Sequence, residues 1–386
     1  MVAGCPAAPD GSATSSPLAE VFRRFGPRYL RTHVLSPEQA RVLRHIIDCR
    51  TPAMGGHAHS CDQCDHEWHA YNSCRDRHCP VCQGLQQRRW IEKRTERLVP
   101  THHFHVVFTE PEALRPLNLA NRAALYDLLF RAASDTLLEL AADRWDALPG
   151  ITAVLHTWTR QMLYHPHLHC IVTGGAMTDD DGWVACPKNF LFPVKVMGAL
   201  FRGKFLAGLR ALYDAGELRF VGTSAHLEHP VAFESLLAEL RRQSWVVYAK
   251  KPFGSTHHLV HYLGLYTHRV AISNSRILSG GDDAIVFSTR GDQPLCSLAP
   301  DEFLRRFLLH TLPKGFNKIR HYGLYAPSNV HRRLANAQEL VGGMNRAQRR
   351  DSDTHVEPPP APDNRCPACG YRPIRTRRLP PVRGPP

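Results

Sequence analysis

The chain has 386 residues, enough for a sizeable core and two or three folded units. Lys and Arg number 48 against 35 Asp and Glu, and the net charge of +13 favours a polyanionic partner, nucleic acid ahead of membrane. No run of eighteen apolar residues exists, so no transmembrane helix is expected; residues 1–17 lack a basic-then-apolar secretion pattern, so the expected location is cytoplasmic, nucleoid-associated when bound to DNA.

Taken in order, residues 1–35 read as a disordered or loosely ordered arm. Ser36-Pro37-Glu38-Gln39 is a capping box with proline at the first helical position, and the helix it opens carries Leu43, Ile46 and Ile47 on one face. It ends before Thr51-Pro52. Next come Cys61-x-x-Cys64 and Cys79-x-x-Cys82. Each pair forms a tight turn that aims two thiolates at one point, and two such turns complete a tetrahedral zinc site. Cys74 and His78 lie in the same segment as alternative ligands, and a second zinc is compatible with the spacing. Seven of the twelve cysteines precede residue 83, which in a large non-secreted chain points to metal and not to disulfides. Arg75 and Arg77 between the knuckles, and Arg88 and Arg89 on the helix that follows, suit phosphate contact. This zinc-binding, DNA-binding domain is expected over residues 36–98.

Residues 104–109 read as a buried strand. Leu125, Leu128, Leu129, Ala132, Leu137 and Leu140 then repeat at helical spacing over about 119–144. Residues 151–158 form another strand, joined by a short connection to Tyr164-His165-Pro166-His167-Leu168-His169-Cys170, which is expected to end at the Gly174-Gly175 turn. Alternation with period 2 puts His167 and His169 on one face and Leu168 on the other. Two imidazoles about 6–7 Å apart along a strand grip one divalent ion. If the two strands pair antiparallel, His156 falls beside this pair as a third ligand; a histidine bonded only within the sheet is the rival reading. Asp179-Asp180-Asp181-Gly182 marks a turn before the strand 183–185. Helices are expected over 194–214 and 232–242, a strand over 245–249, and a basic loop with Lys250 and Lys251 after it. Tyr262 and Tyr266 sit four apart on a helix-like segment, with Arg269 three further on, so two phenols share a face near a cation. Strands are expected over 284–290 and 316–325. A basic, Pro-rich tail, 331–386, carries one more knuckle, Cys366-x-x-Cys369, with no visible partner.

Tyrosine, a two-histidine metal site holding magnesium or manganese, and single-stranded DNA together suggest one chemistry. The metal polarises a phosphate and a phenol oxygen attacks it, conserving the bond energy in a 5′-phosphotyrosine. Four stretches then carry a specific likeness: Phe104–Pro111 (FHVVFTEP), His165–Gly175 (HPHLHCIVTGG), Tyr262–Asn274 (YLGLYTHRVAISN) and Asn72–Gln83 (NSCRDRHCPVCQ). In chain order, with Asn72–Gln83 first, they resemble the motifs of the two-tyrosine HUH transposases of the insertion-sequence-91 family, relatives of rolling-circle initiators. A weaker stretch, Leu312–Gly323, extends the likeness over about 35–330. The resemblance implies an α+β fold with a central antiparallel sheet, the histidine strand in its middle and helices on its faces, over residues 99–330. It makes Tyr262 and Tyr266 the nucleophiles, His167 and His169 the metal ligands and Arg269 the neighbouring cation. It also implies nicking and rejoining of single-stranded or hairpin DNA ends, with an oligomer open. Leu265 stands where many relatives carry a basic residue. The alternatives are a rolling-circle replication initiator, a zinc-dependent DNA-binding protein without catalysis, and a hydrolytic metallonuclease.

Overall fold

The computed structural model describes residues 16–250, 264, 270–289, 295–348, 365–372 and 374–382. In chain order its first elements are helices α1 (Pro17–Thr32) and α2 (Pro37–Asp48) and strands β1 (Gly56–Cys61) and β2 (Glu67–Tyr71). Helix α3 (Gln83–Thr95), strand β3 (His103–Thr109), and helices α4 (Arg115–Ala120) and α5 (Arg122–Trp145) follow. Then come β4 (Ala147–Trp158), β5 (Tyr164–Thr178), β6 (Trp183–Ala185), α6 (Val194–Asp214), α7 (Pro230–Arg242) and β7 (Val247–Lys250). Short strands β8 (Ile277–Gly280), β9 (Ile285–Phe287) and β10 (Cys296–Leu298), helix Pro300–Leu309, β11 (Ile319–Gly323), helix Arg333–Gln348 and β12 (Ile374–Leu379) complete the described chain.

Two compact units form, and neither is contiguous. One comprises Met1–Gln86, His268–Thr311 and Asp351–Pro386; the other comprises Gln87–Thr267 and Leu312–Arg350. These spans do not coincide with the expected boundaries at residues 98 and 330. Helix Arg333–Gln348, placed in the tail by its polarity, buries Leu334, Ala337 and Val341 in the second unit, whereas β12 pairs with β1 in the first.

In the first unit, α1 occupies Pro17–Thr32 of the arm expected to be disordered or loosely ordered, while residues 1–15 lie outside the described residues. Leu18, Phe22, Phe25 and Tyr29 recur at i, i+4, i+7 and i+11, the stripe of an amphipathic helix, and all four are buried. The Ser16 hydroxyl caps the helix by accepting from the Ala19 amide at 3.2 Å. Phe22 packs edge-on against Phe307 of helix Pro300–Leu309, with ring centroids 4.8 Å apart. The capping box of α2 forms as the sequence suggests, with Ser36 and Gln39 exchanging hydrogen bonds at 3.1 and 3.2 Å. Leu43 and Ile46 are buried.

The second unit is built on an antiparallel sheet of order β11-β4-β5-β3-β7, with β6 on the far end of β5. One face is closed by α5 and α6. Leu125, Leu129 and Leu137 of α5 and Phe201, Phe205 and Leu209 of α6 meet Phe104, Val106, Phe108, Leu168, Cys170 and Val172 from the strands. Behind half of the other face lie Val154, Ile171, Leu324, Tyr325 and the buried side of helix Arg333–Gln348. The Gly174-Gly175 pair does not end β5 as a turn; the strand runs on to Thr178. Both glycines are needed for close approach, since a Cβ on Gly174 would lie 2.2 Å from the His102 ring and one on Gly175 2.6 Å from Trp183.

At the end of β11, Gly323 holds φ +59, and a Cβ there would lie 1.9 Å from the Pro149 carbonyl oxygen. Gly323→Ala is expected to destabilise this unit by about 1–3 kcal/mol, read as a lower denaturation midpoint. Gly315→Ala, also at positive φ but facing open space, is expected to cost less.

Candidate active site

Strand β5 is flanked by β4 and β3, and register decides what its histidines meet. His156 of β4 stands opposite His167, and Val107 and Thr109 of β3 stand opposite His169 and His167. Alternation turns Leu168 and Cys170 into the core and leaves His156, His167 and His169 on the other face, where one nitrogen from each ring lies within 4.8 Å of the others. The ring centroids are 5.5 Å (His156 to His167), 4.3 Å (His156 to His169) and 4.9 Å (His167 to His169) apart.

The backs of two rings are fixed. His167 Nδ1 donates to the His165 carbonyl at 2.7 Å, and His169 Nδ1 is bonded to Nε2 of His105 at 2.7 Å. With Nδ1 engaged, the ligating nitrogen of each ring is Nε2, the outer-shell arrangement that orients metal-binding histidines. Desolvation by the sheet pushes His167 down to about 4, so its imidazole is neutral at pH 7, the form that binds a metal. The donor set fits a divalent ion. His105 was given no role in the sequence, although it lies in the strand 104–109 on the same face as Val107 and Thr109. Its signal was visible there, but only the pairing of β3 with β5 places it against His169. Loss of the His105 contact, in His105→Ala, is expected to weaken Mn²⁺ binding about 10–100-fold in calorimetric titration, with His169→Ala removing it. Unchanged affinity in both would contradict the site.

The cysteines group differently from expectation. Cys61, Cys64, Cys79 and Cys82 do not close one site. Cys79 and Cys82 join Cys49 and Cys74, while Cys61 and Cys64 join Cys366 and Cys369. The reason is topological. Cys49 follows the last turn of α2 and receives the Cys74 amide on its sulfur at 3.4 Å, whereas pairing of β12 with β1 carries the C-terminal knuckle to the end of β1. The alternative Cys74 is thus in a cluster. His78 is not; its Nδ1 is bonded to Asp76 at 2.8 Å, and Asp76 also meets His45 at 2.9 Å.

The expected basic surface is only partly described. Arg75 and Arg89 are exposed and Arg77 is half-buried. The side chains of Arg88 and Lys250, and the whole of Lys251, Tyr262, Tyr266 and Arg269, lie outside the described residues. Arg94, on the basic helix, faces inward. It donates to Thr152 at 2.6 Å and stacks over Tyr325 at 4.4 Å.

A buried polar chain runs beneath β5 on the core side. Asn118 donates to Glu110 at 2.7 Å and accepts from the Tyr164 hydroxyl at 2.5 Å, and Tyr164 meets Tyr126 at 2.6 Å. Burial raises the Glu110 carboxyl to about 8, so it is folded as the neutral acid. The folded state binds the proton more tightly than the unfolded state, so this stability is full below about pH 4.5 and is lost as pH rises through about 8. Glu110→Gln keeps the acceptor and cannot ionise. It is expected to exceed the parent chain in stability by upwards of about 1 kcal/mol at pH 8.5 and to match it near pH 5, in denaturation followed against pH.

With this geometry in view, two family models match. One, described as "Putative transposase", matches residues 150–333, the span of β4, β5 and the three histidines. The other, a transposase zinc-binding domain of insertion-sequence-91 type, matches residues 21–110. The chain is 44% identical over 373 residues to "Putative transposase y4qJ" of Sinorhizobium fredii strain NGR234, covering 92% of this chain and 94% of that protein. It is 28% identical over 298 residues to the transposase for insertion sequence element IS801 of Pseudomonas savastanoi pv. phaseolicola, covering 75% and 70%. Among solved structures, the conjugative relaxase TrwC in complex with oriT DNA, a metal-bound structure, overlaps 43% of this chain and 71% of its own, at 11% identity and a TM-score of 0.24. Near-full-length identity to one transposase, and a zinc-binding segment of the expected type ahead of the transposase segment, establish that the chain belongs to the insertion-sequence-91 family of transposases.

Proposed function

We propose that this transposase nicks and rejoins single-stranded DNA at the ends of its own element through a covalent 5′-phosphotyrosine, in a rolling-circle-like route. The observation that carries the reading is the convergence of His156, His167 and His169 on one face of the central strands, with His105 and the His165 carbonyl holding two rings from behind. Three imidazole nitrogen donors suit manganese better than magnesium, which prefers oxygen. When bound, the ion would withdraw charge from the scissile phosphate.

The chain's own groups do the rest. The phenol oxygen of Tyr262 or Tyr266 attacks phosphorus in line, losing its proton to solvent, and the bond to the 3′-oxygen breaks to leave a free 3′-hydroxyl. The phosphotyrosine conserves the bond, so that a second 3′-hydroxyl can reverse the step and join a new end. Two tyrosines four residues apart in sequence would allow one strand end to be held while a second is cut. Arg269, three residues after Tyr266 in sequence, would supply a cation for the phosphate. Tyr262, Tyr266 and Arg269 are assigned on the sequence motif. A DNA-binding regulator accounts for the charge and the zinc segment but leaves three convergent imidazoles and their supporting bonds without a purpose.

The test is a labelled single-stranded oligonucleotide from the element's end, incubated with Mn²⁺ or Mg²⁺ and run on a denaturing gel. A protein-linked band that needs metal is expected, reduced at least about 100-fold in His167→Ala and absent in the Tyr262→Phe/Tyr266→Phe double variant. Cleavage without an adduct would make water the nucleophile.

A further inference from the structure

In the first unit, β1 lies between β2 and β12, and the strands of this sheet bury almost none of their own side chains. Across the three strands only Gly56 and Cys61 are buried. So small a ribbon does not hold together in water without an apolar face, and units lacking a core rely on disulfides or metal. The cost is larger here because β12 arrives from some 300 residues away, Cys366 and Cys64 being 302 apart in sequence.

At one end of the sheet four thiols converge. Cys61 ends β1 and Cys64 lies in the turn after it; Cys366 and Cys369 precede β12. Their ligand atoms all lie within 4.8 Å of one another. Cys61 Sγ is 3.6 Å from Cys369 Sγ, and Cys64 Sγ is 3.7 Å from Cys366 Sγ. A thiolate tetrahedron around zinc, with Zn–S near 2.3 Å, has edges of about 3.8 Å. A disulfide would need about 2.05 Å.

The two turns also have one backbone design. The amide of Asp65 donates to the Cys61 carbonyl at 3.1 Å, and that of Gly370 to the Cys366 carbonyl at 2.8 Å. The amide of Cys61 donates to His66 O and that of Cys366 to Tyr371 O, each at 3.0 Å. The residue after the second cysteine takes positive φ in both, +53 at Asp65 and +73 at Gly370. Two matched knuckles facing each other from opposite ends of the chain are a zinc ribbon in two pieces.

We propose that Cys61, Cys64, Cys366 and Cys369 bind a zinc ion distinct from the one held by Cys49, Cys74, Cys79 and Cys82, and that this ion staples the C-terminal strand to the zinc-binding domain. The four thiols bind as thiolates and release their protons to solvent. Zinc binding thereby decides whether β12, with Arg375, Arg377 and Arg378 exposed on it, is part of the domain or a loose basic tail.

The full chain, purified with zinc, is analysed for metal by atomic emission and digested with trypsin at limiting concentration. Two zinc ions per chain are expected in a His167→Ala/His169→Ala background, which is carried through every variant so that the histidine site takes none. Cys366→Ser/Cys369→Ser should hold one, keep its far-ultraviolet circular dichroism, and be cut at Arg375, Arg377 and Arg378 at least tenfold faster than the parent chain. Cys369→His should restore the second zinc and the resistance, because three cysteines and a histidine also close a tetrahedral site. A single zinc in the parent chain, two zinc ions retained in the double serine variant, or iron in place of zinc at this site would overturn the proposal. Metal content and proteolysis do not depend on DNA cleavage, so the result stands whichever way the tyrosine chemistry falls.

Discussion

The second unit depends on the register of β5 between β4 and β3. Side chains on a strand alternate faces, so a slip of one residue would send His167 and His169 into the core and Leu168 and Cys170 to the outer face. What forbids the slip is the apolar face itself: Leu168, Cys170 and Val172 fit among Phe104, Val106, Phe108 and the α5 and α6 side chains. The same packing that stabilises the sheet therefore aims the histidines. It also brings His156 and His105 in from the neighbouring strands, one beside the pair and one behind it. The candidate metal ligands here are set on rigid central strands, where a side chain is held to within a fraction of an ångström more readily than on a loop.

The zinc-binding unit follows a different logic. Its helices α1, α2 and Pro300–Leu309 share a conventional apolar core around Phe22, Phe303 and Phe307. Its small sheet does not, and the structure places four sulfurs where a core would otherwise be needed. Threading three separate stretches of chain into one unit is expensive in loop entropy, and thiolate–metal bonds are among the few local interactions strong enough to offset it.

Buried polar groups show how far charge is tolerated inside the second unit. Arg94 keeps its guanidinium between Thr152 and the Tyr325 ring, and burial lowers it to about 10, still protonated at neutral pH. Glu110 takes the other route and is held neutral by desolvation next to Asn118. Both sit against the strands that carry the histidines, one on each face, and they confine the polar network to places where hydrogen-bond partners exist.

Local sequence patterns were sufficient for several of the elements. The capping box at Ser36, the alternation around His167, the helical repeat from Leu125 and the Asp-Gly turn before Trp183 each appear in the structure where the sequence puts them. These are short-range effects, governed by backbone geometry within a few residues. The stripe Leu18, Phe22, Phe25, Tyr29 was equally local and legible, although the small polar residues before it suggested an arm. What the sequence could not decide was every pairing over distance: which cysteine pair closes on which, that His105 backs His169, that Arg94 turns inward, and that β12 returns to β1. Spacing along the chain fixes the shape of one turn or one strand. Which turns and strands meet is decided by sheet register and by which packing buries the most apolar surface, and only the folded chain settles that.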